Sequence, residues 1–315
     1  MNTRFNGFIV ILFFFIISSS QVFAASWTPI RNLSGWQDCE TFPLSLRMNE
    51  NGDQVAFWIK MEVQNPNAIT RIMANIKYKG QPWGDAHDVT GALSPVQLYL
   101  PFFNDGQIAP DGTAWIAWTI KDEAQIGKQY KVLAAHCSPG GTWITEDISE
   151  WETFIRSADL SVGLNGDVAV AWVSAGTDSS NFTQGPSSVH AKRRPSSTGT
   201  FNPIHTIATY PSVGCSRVFS MVEPTGIAVV VYGEAVTAGG TQWHLTSQSY
   251  NPGTGWDSSV TNVSGLIDTS LSNYWYADPV MSEDGTVITA WAALTTLGGT
   301  LEAQYSSTRD PANGN

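Results

Sequence analysis

The sequence predicts an all-β fold in which a four-stranded antiparallel sheet occurs five times, a five-bladed β-propeller. Three observations predict it. A glycine turn with an aromatic residue six positions later recurs roughly every sixty residues, a second column of small residues follows each turn, and the opening segment reads as a strand that belongs to the last sheet. A period of this length is typical of repeat architectures.

The first column marks the hairpin between the first two strands of each copy. Asn-Gly and Asp-Gly favour a tight type I′ hairpin, because both central residues need positive φ. The residues that follow are β-branched, small or aromatic, as strands require. We expect the recurring aromatics to pack between neighbouring sheets, where truncation to Ala would cost about 3–5 kcal/mol. The aromatics are Trp58, Trp118, Trp172, Tyr232 and Trp291.

The second column predicts a third and a fourth strand. Small residues recur at matching places in the third strand, namely Ala74, Ala134, Ala191, Thr246 and Ala303. A turn rich in Gly and Pro and then an aromatic residue come next. The fourth strand is predicted through Val89, Ile148, Ile207 and Val263.

The displaced segment predicts ring closure. The fifth copy ends after its third strand, near Tyr305, whereas residues 26–34 read as a fourth strand with no strands before it. Pairing the two closes the ring and removes exposed sheet edges. A solenoid would need capped ends and six blades would need another repeat, and neither is found. The predicted blades are 43–90, 100–149, 157–207, 217–264, and 277–307 closed by 26–34, in one domain over 25–315.

The N-terminal residues predict a signal peptide. Arg4 precedes the apolar run 8–17, and a small-residue cleavage pattern ends at Ala24. As a membrane anchor, ten apolar residues would span about 15 Å, roughly half the hydrocarbon core. We therefore expect cleavage after residues 1–24 and secretion to the periplasm or beyond, with no membrane span in the mature chain.

Charge and cysteine content exclude several functions. A net charge of −11 disfavours nucleic acid and anionic membrane surfaces, and the run Lys192, Arg193, Arg194 is too short to make a basic patch. No CxxC and no histidine spacing typical of a metal site occurs, so no cofactor is predicted. Three cysteines leave room for one disulfide of undetermined pairing, and we expect Cys137 to be a small buried residue. The cysteines are Cys39, Cys137 and Cys215, and glycan acceptor motifs begin at Asn32, Asn181 and Asn262.

The turns between third and fourth strands carry a family resemblance. Residues 138–143 (SPGGTW) and 251–256 (NPGTGW) resemble degenerate Asp-box turns, and the whole repeat resembles secreted bacterial sialidase-like propeller proteins. The resemblance covers nearly all of the mature chain and implies the propeller fold. The Asp-box aspartate is missing, and neither the sialidase arginine triad nor its Tyr–Glu pair can be placed from the sequence.

The segments that link successive sheets are the candidate functional region, since loops that vary between copies carry function in propellers. They are rich in aromatic residues, and an aspartate recurs seven residues before three of the turn glycines. Aromatic rings cover the apolar faces of sugars and carboxylates accept hydrogen bonds from their hydroxyls, which predicts a glycan-binding face. The candidate residues are Asp105, Asp159, Asp278, Tyr274, Trp275, Tyr276, Trp151, Tyr99 and Trp36.

Other roles for the same residues remain open. The aspartates could bond their own turns, the aromatics could plug the central channel, or an acidic ring could hold Ca²⁺. Residues 276–279 (YADP) are similar to the entry strand of arabinanase-like glycoside hydrolases, which implies hydrolysis by two carboxylates about 5–9.5 Å apart. A protein-interaction scaffold is the third alternative, and exposed linker aromatics in one patch would favour it.

Overall fold

The computed structural model describes residues 40–61, 70–90, 97–99, 106–176, 185–236, 242–263, 267–268, 275–281, 287–294 and 301–309. The predicted signal peptide and the predicted closing strand 26–34 lie outside this part of the chain, as does Cys39. The described residues contain strands and turns but no helix, so none of them forms a helix that could cross a membrane.

Five antiparallel sheets follow one another along the chain. Sheet 1 contains β1 (Glu40–Met48), β2 (Gln54–Met61), β3 (Thr70–Lys77) and β4 (His87–Asp88). Sheet 2 contains β5 (Gln97–Tyr99), β6 (Gly106–Ile108), β7 (Ala114–Lys121), β8 (Tyr130–Cys137) and β9 (Ile144–Asp147). Sheet 3 contains β10 (Phe154–Val162), β11 (Val168–Ala175), β12 (Ser187–Arg194) and β13 (His205–Tyr210).

The last two sheets continue the series. Sheet 4 contains β14 (Cys215–Val222), β15 (Ala228–Ala235), β16 (Gln242–Asn251), β17 (Gly255–Trp256), β18 (Thr261–Asn262) and β19 (Ile267–Asp268). Sheet 5 contains β20 (Trp275–Met281), β21 (Val287–Leu294) and β22 (Leu301–Arg309). The predicted third-strand residues all lie in third strands, β3, β8, β12, β16 and β22. Their column is confirmed in sheets 1 to 3, where each pairs with the residue before the repeated aromatic. It is wrong in the last two sheets, where Thr246 pairs with Tyr232 itself and Ala303 with Ala293.

Each sheet has two ends that differ in their connections. We call the end with the hairpin between the first and second strands and the turn between the third and fourth strands the turn end. The opposite end carries the linker to the next sheet, and we call it the crossover end. The first strands of neighbouring sheets contact one another in chain order, β1 with β6, β6 with β10, β10 with β14, and β14 with β20.

The interfaces between neighbouring sheets hold the core. We call them the first seam (sheets 1 and 2), the second seam (sheets 2 and 3) and the third seam (sheets 3 and 4). The repeated aromatics fill them: Trp118 lies in the cluster of the first seam, Trp172 in that of the second and Tyr232 in that of the third, each with no exposed surface. The packing role predicted for these three residues is confirmed. Trp58 is buried, and the side chain of Trp291 lies outside the described part.

The hairpins at the turn end differ from the prediction. In sheet 1 the amide of Gly52 donates to the carbonyl of Asn49, and the amide of Asn49 donates to the carbonyl of Asp53, so the turn is one residue wider than type I′. The same pair of bonds recurs around Gly112, Gly166 and Gly226. This arrangement needs positive φ at the glycine alone, and Gly52 has φ 87°. The glycine column therefore follows from a left-handed position after the turn, which only glycine adopts without strain.

Candidate functional site

A polar cluster lies at the crossover end of sheets 3 and 4. Tyr210 ends β13 at the start of the linker to sheet 4, and its hydroxyl donates to Glu234 Oε2 on β15 at 2.8 Å. The hydroxyls of Tyr210 and Tyr232 lie 3.0 Å apart, and Thr246 Oγ1 donates to Glu234 Oε2 at 3.3 Å. We call these four residues the Tyr–Glu cluster. It joins the last strand of one sheet to the second and third strands of the next.

A buried arginine lies beside the Tyr–Glu cluster. The pairing of β10 with β11 is shifted between Ile155 and Ser157, which leaves Arg156 in a β-bulge. Bulges redirect side chains and are frequent next to active sites. Arg156 is 1% exposed and its Nη1 donates to the carbonyl of Cys215 at 3.0 Å. Because Cys215 is the register partner of Glu234, the bulge brings a guanidinium to the same end as the carboxylate.

Burial sets the protonation of this region. Burial, followed by the hydrogen bond with Tyr232, raises the pKa of Tyr210 far above its usual value, and burial also raises the pKa of Tyr232. The Cys215 thiol, which is free and buried, has its pKa raised to about 12 by burial. Burial lowers the pKa of Arg156. Tyr210 is thus a neutral phenol at physiological pH and acts as a hydrogen-bond donor to the carboxylate.

Asp159, one of the predicted ligand residues, connects two first strands. It lies on β10, and its Oδ2 accepts from the amide of Ser220 at 2.6 Å and from Ser220 Oγ at 3.0 Å on β14. Ser157 Oγ accepts from the amide of Val218 in the same seam. The aspartate therefore bonds the first strand of the next sheet.

Trp151 is placed where it was predicted, in the linker between sheets 2 and 3. Its side chain is half-buried and packs against the apolar cluster of the first seam. Lys131 Nζ lies 5.4 Å from its ring centroid, a cation–π distance. Backbone hydrogen bonds between Glu152 and Tyr130 fix this linker to β8.

The other predicted ligand residues fall wholly or partly outside the described part of the chain. Trp36, Asp105 and Tyr274 lie outside it altogether. The backbone alone is described for Tyr99, which ends β5, and for Trp275, Tyr276 and Asp278, which lie on β20. The separations of the three predicted carboxylates therefore stay untested. Among the described residues, no group of three acidic, histidine or cysteine side chains is arranged to hold a metal ion.

Sequence reasoning missed Glu234 and Arg156 and assigned Tyr232 to packing alone. A signal for Glu234 was present, because it lies two residues after the aromatic column. The equivalent residues of the other copies are Lys60, Ile120, Ser174 and Ala293. Arg156 gave no signal, since the bulge that redirects it has no marker in the sequence.

Comparisons with known proteins give similarity to solved structures alone. No protein-family model and no curated protein matches the chain. An endo-arabinase from Bacteroides thetaiotaomicron has a TM-score of 0.43 at 12% identity, over 90% of this chain and 97% of that one. An α-L-arabinanase from Penicillium chrysogenum, complexed with arabinobiose, has a TM-score of 0.46 at 16% identity, over 81% and 76%.

A sialidase described as Hadza microbial has a TM-score of 0.47 at 10% identity, over 84% of this chain. This chain spans 57% of that sialidase. Similarities at this level do not indicate the ligand or the activity of this chain.

Proposed function

We propose that the chain is a five-bladed β-propeller whose ring is closed by residues 26–34. The consecutive order of the sheets and the contacts of their first strands in chain order support this proposal. The described part of sheet 5 has three strands, where sheets 1 and 3 each have four, so β22 leaves a place for a further strand. We also propose that residues 1–24 direct secretion and are removed.

We propose that the crossover end binds carbohydrate. The Tyr–Glu cluster carries the proposal, because it offers the Tyr210 phenol and the Glu234 carboxylate at a half-buried position where a linker joins two sheets, with the buried Tyr232 hydroxyl behind them. Sugar hydroxyls are recognised by side chains that both donate and accept hydrogen bonds from fixed positions, beside aromatic surface. Trp151 supplies a half-buried aromatic ring in the preceding linker, between sheets 2 and 3.

The remaining predicted ligand residues extend the proposed site along the other linkers. Tyr99 and Trp275 lie where β5 ends and β20 begins. Trp36, Tyr274, Tyr276, Asp105 and Asp278 are proposed to complete the face. Asp159 is proposed to act through its bonds to Ser220, which hold β10 against β14.

A glycan array with residues 25–315 tests the proposal. We expect selective binding of a glycan. Glu234→Gln should lower its affinity at least tenfold, because the substitution removes the charged carboxylate that accepts hydrogen bonds from Tyr210 and Thr246. Glu50→Gln is the matched control, because Glu50 is an exposed carboxylate in a hairpin at the turn end. A clean negative for the folded wild-type protein, or equal loss in both variants, would contradict carbohydrate binding at the crossover end.

Glycoside hydrolysis is the second candidate, and the hydrogen bond from Tyr210 to Glu234 is the observation that favours it. A tyrosine with a glutamate as its base is one route to a glycosyl-enzyme intermediate. The raised pKa of Tyr210 opposes ionisation of the phenol, which is why we rank binding first. Turnover of aryl sialosides or aryl arabinofuranosides that Tyr210→Phe abolishes would establish hydrolysis, and absence of turnover would leave binding.

A further inference from the structure

The turn end of the third seam is closed by an ion pair within the protein. Asp167, directly after the turn glycine of sheet 3, pairs through Oδ2 with Arg193 Nη2, and both side chains are almost fully buried. The Arg193 guanidinium lies 4.8 Å from the ring centroid of Tyr250 on sheet 4. Asp167 Oδ1 also accepts from the amide of Ser196 at 2.6 Å.

The second seam has different residues at the same three positions. Thr113 follows the turn glycine of sheet 2 as Asp167 does in sheet 3. His136 is the equivalent of Arg193, because it pairs with Trp115 across the sheet as Arg193 pairs with Ala169. Arg194 is the equivalent of Tyr250, because it pairs with Val168 as Tyr250 pairs with Ala228. The second seam therefore has a guanidinium at its turn end but no carboxylate at the position after the turn glycine, and the carboxylate that Arg194 contacts is Glu146, with Oε1 3.8 Å from Nε.

A proline accounts for the missing carboxylate. In sheet 1 the amide of Lys79 donates to Asp53, the aspartate after the turn glycine. In sheet 3 the amide of Ser196 donates to Asp167 in the same way. The equivalent residue in sheet 2 is Pro139, which has no amide hydrogen. An aspartate at position 113 would lose this donor, and the buried Thr113 avoids that cost.

A cavity of about 320 Å³ lies at this place. Its lining includes Arg194 and Asp111, together with the polar side chains of Thr113, His136, Ser138, Asn165 and Ser196. The Asp111 carboxylate accepts a hydrogen bond from the amide of Thr113 at 2.8 Å. The volume is within the range of small-ligand sites, and the hydroxyl and amide groups suit a ligand with several hydroxyls. The exposed side chain of Leu164 and the ring of Pro110 add apolar surface.

Arg194 has hydrogen-bonding capacity that the protein does not use. Its side chain is 16% exposed, its guanidinium lies 4.9 Å from the ring centroid of Trp115, and its Nε is 3.8 Å from Glu146 Oε1. Within the described part of the chain, no residue accepts a hydrogen bond from this guanidinium. Nearby, His136 Nδ1 is buried without a hydrogen bond and lies 3.5 Å from the same Glu146 oxygen. Burial and then Arg194 lower the pKa of His136, so its imidazole is neutral near pH 7.

We propose that this cavity is a binding site for a hexuronic acid residue, whose carboxylate bonds Arg194 in the place that Asp167 holds beside Arg193 in the third seam. The planar guanidinium matches a carboxylate with two hydrogen bonds. Glu146 and Asp111 offset part of the positive charge, which favours a singly charged carboxylate over a phosphate dianion. The sugar hydroxyls bond the hydroxyl and amide side chains of the lining. The site lies at the turn end and does not depend on the proposed site at the crossover end.

Calorimetric titration of residues 25–315 with galacturonate and glucuronate at low salt tests the site, with glucose, acetate and inorganic phosphate as comparison ligands. We expect a hexuronate to bind at least tenfold more tightly than each of the three. Arg194→Gln is expected to remove at least tenfold of that affinity. Lys192→Gln is the matched control: it removes a positive charge from the same face of β12, where Lys192 Nζ donates to the carbonyl of Asp147, and should change affinity less than twofold.

A second variant keeps the proposal falsifiable if Arg194→Gln does not fold. Thr113→Asp supplies a carboxylate within the cavity and should abolish hexuronate binding while glycan-array binding at the crossover end persists. Glu234→Gln should show the opposite pattern. The proposal is overturned if hexuronate binds no better than glucose or acetate, or if folded Arg194→Gln or Thr113→Asp binds it as the wild type does.

Discussion

The second and third seams have the same apolar middle but different turn ends. Both are filled by a repeated aromatic residue, Trp172 in one and Tyr232 in the other, with β-branched and small residues around it. At the turn end, the third seam is closed by Asp167 and Arg193, whereas the second seam has Thr113 and His136 and contains a cavity. The repeat therefore sets the packing of a seam, and a few non-repeated polar residues decide whether its end is closed or accessible.

Removing the carboxylate that closes the third seam should have the largest effect. Asp167→Ala leaves the Arg193 guanidinium buried without its counter-charge, which costs about 3–5 kcal/mol of unfolding free energy. Thr113→Ala, at the equivalent place in the second seam, should cost below about 1 kcal/mol. Urea unfolding of both variants measures the difference. Similar losses would mean that the two turn ends are equally closed.

The first-strand contacts should show the same asymmetry on a smaller scale. Asp159→Ala removes a charged acceptor of two hydrogen bonds across the third seam and should cost about 1.5–3 kcal/mol. Gln107→Ala removes one neutral bond across the second seam, from the amide of Val162 to Gln107 Oε1, and should cost about 0.5–1.5 kcal/mol. Urea unfolding again gives the two values. A neutral effect of Asp159→Ala would show that its contact with Ser220 does not stabilise the fold.

Low pH should reduce the free energy of unfolding through His190, which lies on the side of β12 that faces the second seam. His190 stacks on Trp172, and burial, followed by the charge of His205, lowers its pKa to about 4 from 6.5. The unfolded chain therefore takes up the proton first, so the stability is complete above about pH 6.5 and declines as the pH falls toward 4. The loss between pH 7.5 and pH 5 should be about 2 kcal/mol.

Unfolding free energies measured across this pH range, for the wild type and for His190→Gln, isolate the contribution of one histidine. The variant should lose about 2 kcal/mol less than the wild type between the two pH values. Parallel curves would show that His190 titrates alike in the folded and unfolded chain.

Two turn glycines offer the finest comparison. Gly226 and Gly166 both have positive φ, 87° and 80°, so an alanine at either should cost about 1–2 kcal/mol from backbone strain. A Cβ on Gly226 would lie 2.7 Å from Asp167 Oδ2 and 2.9 Å from Arg193 Nη2, whereas a Cβ on Gly166 would meet Ser196 Cβ at 3.4 Å. Thermal unfolding should therefore show Gly226→Ala to be worse by about a further 1 kcal/mol. Equal losses would place the ion pair farther from the turn.

The repeated parts of the fold could be predicted from the sequence because periodic packing leaves a periodic pattern. Trp118, Trp172 and Ala191 lie where their columns placed them, and Cys137 is buried as expected. The hairpin type was predicted incorrectly, because the sequence shows that Gly52 needs positive φ but not which carbonyl its amide bonds.

The candidate site could be predicted only as a region. Trp151 was predicted as a linker aromatic, whereas Tyr210 was not among the candidate residues. The partner of Tyr210 is on another sheet, and sequence spacing does not report which linker meets which strand. Asp159 was predicted to bind a ligand from its recurrence alone. The structure shows that its carboxylate bonds Ser220, sixty-one residues away, a contact that no local pattern indicates.

Hydrogen–deuterium exchange with the best neutral glycan from the array tests most directly whether carbohydrate binds at the crossover end. The account predicts slower exchange in the linker 210–215 and at the end of β15, with no change at the turns around Gly112 and Gly166. Protection confined to those turns, or no protection from a glycan that binds, would contradict it.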